Sequence, residues 1–204
     1  MLASLRWQTA PMIDEVGDED ALDRSDFVPA EGGEWRGLLF ENPTLGLAPQ
    51  LTWSFHFPFQ PVSRDHGSSP LTLDLEWLPI QADGWRSMAG RRASSSRFAE
   101  PGEASVYYFA HHRYDAIHVQ ILEQRDLAIR VRANVSGDLD SLGVESVAAD
   151  AWLHFAGITV SLSDTVTADA ALARLSEFSD ITGLAHAAAP NGIHFRFAPS
   201  GPVG

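Results

Sequence analysis

The chain contains no cysteine and no lysine; all 14 cations are arginine, set against 27 Asp+Glu for a formal net charge of −13 over 204 residues. Without cysteine there is no disulfide scaffold, zinc ribbon, iron–sulfur site or thiol nucleophile. Without lysine there is no Walker-A phosphate site, Schiff-base enzyme or lysine-dependent kinase. Long apolar runs are also missing. Nowhere do about 18 consecutive apolar residues occur, and Met1–Ile13 lacks a continuous secretory h-region. The expectation is a cytoplasmic protein without a membrane partner. Net −13 weighs against nucleic acid, because affinity for phosphates comes from clustered cations. A lysine-free, alanine-rich composition fits a GC-rich bacterial genome.

The charge is unevenly placed. Residues 14–26 (DEVGDEDALDRSD) hold seven carboxylates against Arg24 alone, a net of −6. Residues 1–34 therefore read as an acidic arm, either solvated or partner-binding, with Asp14, Glu15, Asp18, Glu19, Asp20 and Asp23 as candidate partner contacts. Residues 84–99 (GWRSMAGRRASSSRFA) are the reverse, with four arginines and no acid. Lacking either period, they read as a long functional or mobile loop.

In a chain that is 45% hydrophobic, residues 35–204 can form one packed domain. Leu51–Phe57 (LTWSFHF) alternates, with Leu51, Trp53, Phe55 and Phe57 on one face and Thr52, Ser54 and His56 on the other. Pro58 and Pro61 are expected to end that strand. In Leu71–Leu78 (LTLDLEWL), Leu71, Leu73, Leu75 and Trp77 oppose Thr72, Asp74 and Glu76. Ser105–His112, Ala116–Leu122 and Leu127–Val135 suggest a meander with its first turn at Arg113–Asp115. Ala151–Phe155 and Ile158–Leu162 suggest a hairpin about Ala156-Gly157. Thr167 caps the one convincing helix, 168–178, with Ala171, Leu172, Leu175 and Phe178 as its stripe. The fold class is therefore α+β: a strand-dominated antiparallel sheet of about 7–9 strands with one main C-terminal helix packed on it.

Several clusters carry candidate chemistry. His111, His112, Asp115 and His118 would gather at the first meander turn, offering imidazole and carboxylate ligands to zinc or iron. Their spacing matches no metal signature, and surface imidazoles near a turn are the plainer account. Asp65-His66, with His56 near, could orient a general base, but no serine occupies a GxSxG elbow. Asp138 and Asp140 read as turn residues, and Asp74 and Glu76 as a solvated face. Trp53, Phe55, Phe57, Phe59 and Trp77 could line an apolar ligand cavity or form plain core. No cofactor is expected. Three functions follow: a non-catalytic, immunity- or inhibitor-like protein whose acidic surface binds a basic protein partner; a metal-dependent enzyme at residues 111–118; or a carrier of an apolar ligand.

Overall fold

The computed structural model describes residues 21–65, 67–188 and 194–200. Ten strands form one sheet: β1 Glu34–Asn42, β2 Leu47–Arg64, β3 Gly67–Leu78, β4 Arg92–Ser95, β5 Glu103–Tyr108, β6 Ala110–Arg125, β7 Ala128–Asp138, β8 Ser146–Ser161, β9 Leu184–Ala187 and β10 Phe195–Pro199. The ring β1-β2-β3-β5-β6-β7-β8 closes through a parallel β1–β8 pairing into a seven-stranded barrel. Every other pairing between these strands is antiparallel. The strand-dominated α+β class holds, and closure is what the alternating pattern alone did not disclose. It removes the open edges that an antiparallel sheet would otherwise expose.

Closure depends on β8. The chain does not turn at Ala156-Gly157 as the sequence suggested; it runs on as one 16-residue strand. Ser146–His154 pairs with β7, and His154–Ser161 pairs with β1. Gly157 lies in the half paired with β1, opposite Arg36 just past a register irregularity, at φ 111°, where a Cβ would lie 2.5 Å from the Phe197 carbonyl oxygen. Only glycine supplies that conformation and that closeness to β10.

The inner face is packed with the predicted apolar residues. Trp53, Phe55 and Phe57 of β2 and Leu71, Leu73 and Leu75 of β3 are buried. Trp35 lies against Trp53 and Phe155, with centroids 5.4 and 4.4 Å apart. Such filling makes the barrel a core rather than a pore. Pro58 and Pro61 do not end β2. Pro58 lies past the Glu34↔His56 pair that begins β1, and Pro61 lies in the register irregularity between Phe59 and Val62. Neither removes a hydrogen bond from a regular ladder.

Residues 84–99 are not a bare loop. Trp85 and Met88 are buried, and Trp85 stacks on Phe155 at 4.8 Å. Gln124 holds the segment twice, accepting from the Met88 N–H (2.9 Å) and donating to the Trp85 carbonyl (2.8 Å). Its second half forms β4, beside β6. The helix α1, Ala168–Leu175, is capped by Thr167 and buries Ala171 and Leu175. It ends before Phe178, because the N–H groups of Phe178 and Ser179 both turn back to the Leu175 carbonyl.

The described end of the acidic segment also belongs to the body. Leu22 is buried, Phe27 meets Phe59 edge-on at 5.2 Å, and Pro29 bridges to Phe59. Contacts with the barrel thus begin before Trp35, the first residue of globular patterning.

Candidate functional site

Across the outer face, strand register lines up a row that no single segment discloses. Glu34 on β1 opposes His56 on β2, which opposes Asp74 on β3, then Ser105 on β5 and Arg113 on β6. Beside it, Arg36 opposes Ser54, and Glu76 opposes Glu103. Apart from Ser54, which is buried, these are the outward residues of their strands, set beside the buried Phe55, Leu75 and Ala104 and so turned to solvent. The result is a charged groove in two joined parts. One, about 210 Å³, is walled by Glu34, Arg36, Ser54, His56, Asp74 and Glu76. The other, about 490 Å³, extends over Arg36, Asp74, Glu76, Phe98, Glu103, Ser105, His111 and Arg113.

At its centre His56 Nδ1 lies 2.6 Å from Asp74 Oδ1. An ionised carboxylate only accepts, so Nδ1 carries the proton. Thr72 Oγ1 donates to the other Asp74 oxygen at 2.8 Å. The hydrogen bond to Asp74 holds the His56 imidazole above the usual histidine range. Burial opposes this, the charges of Asp74 and Glu34 add to it, and Arg36 subtracts. Burial pushes Asp74 up, but hydrogen bonds from His56 and Thr72, with the charges of His56 and His111, bring it below the usual carboxylate range. Burial and repulsion by Glu76 hold the Glu103 carboxyl above that range.

The arginines at the rim are already engaged. Arg36 Nη2 donates to Glu76 Oε1 at 3.1 Å. Arg113 forks onto Asp140 through Nε (2.9 Å) and Nη2 (2.6 Å), and its backbone N–H reaches the same carboxylate at 2.7 Å. This pairing holds Asp140 down at about 2. Asp138 accepts the N–H groups of Asp140 and Gly143, so GDLD is a turn that aims a carboxylate at Arg113. With both imidazoles neutral, the groove's Glu34, Asp74, Glu76 and Glu103 outweigh its Arg36 and Arg113 by two charges.

Beside Glu76, the strand departs from alternation. Phe55 pairs with Leu75 but Trp53 pairs with Leu78, so Glu76 and Trp77 together oppose Ser54. Trp77 is therefore not inside with Leu71, Leu73 and Leu75. It is held at φ 61° on the bulge and is 38% exposed, a backbone region that bulky residues seldom occupy. Trp53 and Phe55 are core, so these three rings do not line one apolar cavity.

The four residues read as candidate metal ligands are not brought together. The turn falls at Phe109, not at Arg113–Asp115, and Ala110–Arg125 is one continuous strand. At about 3.3 Å rise per residue, His111 and His118 stand roughly 23 Å apart along it. His111 lies by Ser105 Oγ (Nδ1 at 3.3 Å), and His112 Nε2 donates to the Tyr108 carbonyl at 3.2 Å. Asp115 accepts the Phe98 N–H at 3.0 Å, and His118 lies between Ser94 and Asn134. Among the described residues no three such side chains could hold a metal ion.

Of the acidic candidates, Asp14, Glu15, Asp18, Glu19 and Asp20 lie outside the described residues, as does His66. Asp23 is spent on structure. It caps the 3-10 turn Arg24–Asp26, accepting from Ser25, whose hydroxyl and N–H hold its carboxyl below the usual range. Comparison with protein-family models, curated proteins and solved structures finds no match to this chain.

Proposed function

We propose that the chain is a non-catalytic binding protein of the inhibitor or immunity kind, whose outer groove seats a basic segment of a protein partner. The observation that supports this most is the direct opposition of Glu76 and Glu103 across β3 and β5. Like charges facing one another in a ladder destabilise it. Arg36 answers Glu76, whereas no ion pair reaches Glu103 among the described residues. A partner's guanidinium or ammonium between them would turn that repulsion into attraction. The seven carboxylates of residues 14–26 would speed encounter with the same partner by long-range steering.

The His56–Asp74 pair is also the arrangement that orients a general base. Among the described residues no hydroxyl is hydrogen-bonded to His56, so no side-chain nucleophile stands beside that base, and binding is the better reading. The test is backbone-amide NMR of the full chain titrated with tetra-arginine, with tetra-glutamate as control. Shifts should concentrate on Arg36, Ser54, Asp74, Glu76, Glu103 and Ser105. Shifts confined to residues 14–26, or scattered evenly over the surface, would remove the groove from consideration as the seat.

A further inference from the structure

We infer that protonation of His56 switches the groove from holding a cationic segment to releasing it. This rests on the reading of the groove as a cation seat. His56 stands at the middle of the row, where every strand packed around it presents charge. From β1 come Glu34, directly opposite, and Arg36; from β3, Asp74 at 2.6 Å and Glu76. Glu103 of β5, with His111 and Arg113 of β6, lies beyond Asp74 in the adjoining part of the groove.

While His56 is neutral its Nδ1–H satisfies one Asp74 oxygen without cancelling the carboxylate's charge. Protonation adds a positive charge and makes the second ring nitrogen a donor. Asp74 and Glu34 then have an internal cation to face, and a partner's cation must compete with it. By strand spacing Glu76 and Glu103 lie roughly 8–12 Å from His56, and at an effective dielectric of about 20 an added charge at that range suffices for about a tenfold change in affinity. The upward pull of Asp74 and Glu34 on the imidazole brings the switch toward neutral pH.

The test is calorimetric titration of the full chain with tetra-arginine from pH 5.5 to 8.5 at fixed ionic strength, for wild type, His56→Gln and His56→Asn. Wild type should bind about tenfold more weakly at pH 5.5 than at pH 8.5, and both variants should vary less than about twofold. Binding by wild type that does not change with pH, or a variant that keeps the wild-type ratio, overturns the switch and leaves the cation seat standing. No binding at any pH overturns both. A check without substitution comes from reciprocity: saturating tetra-arginine must lower the His56 pKa, followed by NMR, by about one unit for a tenfold effect. An unmoved pKa contradicts the inference.

Discussion

His56 and Asp74 sit 18 residues apart in sequence and 2.6 Å apart in space, and their bond has a definite pH signature. The folded pKa of His56 is raised. Its contribution to stability is therefore fully present below the unfolded value, about 6.5, and is lost as pH rises through the folded one. That of Asp74 is lowered, so its contribution is present above about 3.9 and is lost as pH falls through the depressed value. The pair should stabilise the fold most between about pH 4 and pH 6.5. Denaturant melts of wild type and Asp74→Asn should differ most in that window. In Asp74→Asn the His56 titration should move down to the ordinary range; an unchanged titration would show that Asp74 is not what holds the imidazole.

Two tryptophans that alternation places on one side of their strands should also separate experimentally. Trp53 is buried and its Nε1 donates to the Ile80 carbonyl at 3.2 Å. Trp53→Ala should cost about 3–5 kcal/mol. Trp77→Gly removes an exposed ring and relieves an unfavourable φ, so it should change stability by less than about 1 kcal/mol. Equal losses in equilibrium unfolding would contradict the bulge.

At the scale of elements, the strands were legible and their interruptions were not. Alternation in Leu127–Val135 reports correctly which residues turn inward, because one face of that strand is buried; in Leu51–Phe57, Trp53, Phe55 and Phe57 are inward as read, but Thr52 and Ser54, read as outward, are buried too. A bulge breaks that rule without leaving a compositional mark. Trp77 is ordinary in sequence, and in β6 the buried parity changes between Tyr114 and Ile117, so His112 and His118 do not share a face as regular alternation implied. Glycine at 157 reads equally well as a hairpin or as a bend within a strand. The difference lies in β1, over a hundred residues away, whose parallel pairing requires β8 to continue. Gly157→Val should therefore cost about 2–3 kcal/mol or more, through both strain and the clash with the Phe197 carbonyl. A near-neutral effect on the unfolding midpoint would mean that β8 does not depend on this bend.

Taken whole, the molecule is acidic by sequence but sorted by fold. Residues 14–26 carry −6, while β7 presents Arg130 and Arg132, both bonded to Asp150 of β8. The groove across β1, β2, β3, β5 and β6 holds the local excess of carboxylate. Its members were visible one by one as polar residues of alternating strands. Their assembly was not, because which residue faces which depends on strand register, and register depends on turns and bulges that the sequence did not reveal. Asp74 and Glu76 thus read as an ordinary solvated face until β5 brings Glu103 opposite one and Ser105 opposite the other. Binding driven by this charge should weaken with salt, by more than a factor of about ten between 50 and 500 mM, if exposed ion pairs dominate it.

The central claim is that a cation is held at Glu76 and Glu103 rather than by net charge alone. The most direct measurement compares the tetra-arginine affinity of wild type with that of Glu76→Gln/Glu103→Gln. The control is Asp164→Asn/Glu177→Gln, which removes the same charge beside Arg174, away from the groove. The groove pair should lose at least about tenfold in affinity and the control less than about twofold. Equal losses in the two variants would contradict the claim and leave only general attraction between an acidic protein and a basic peptide.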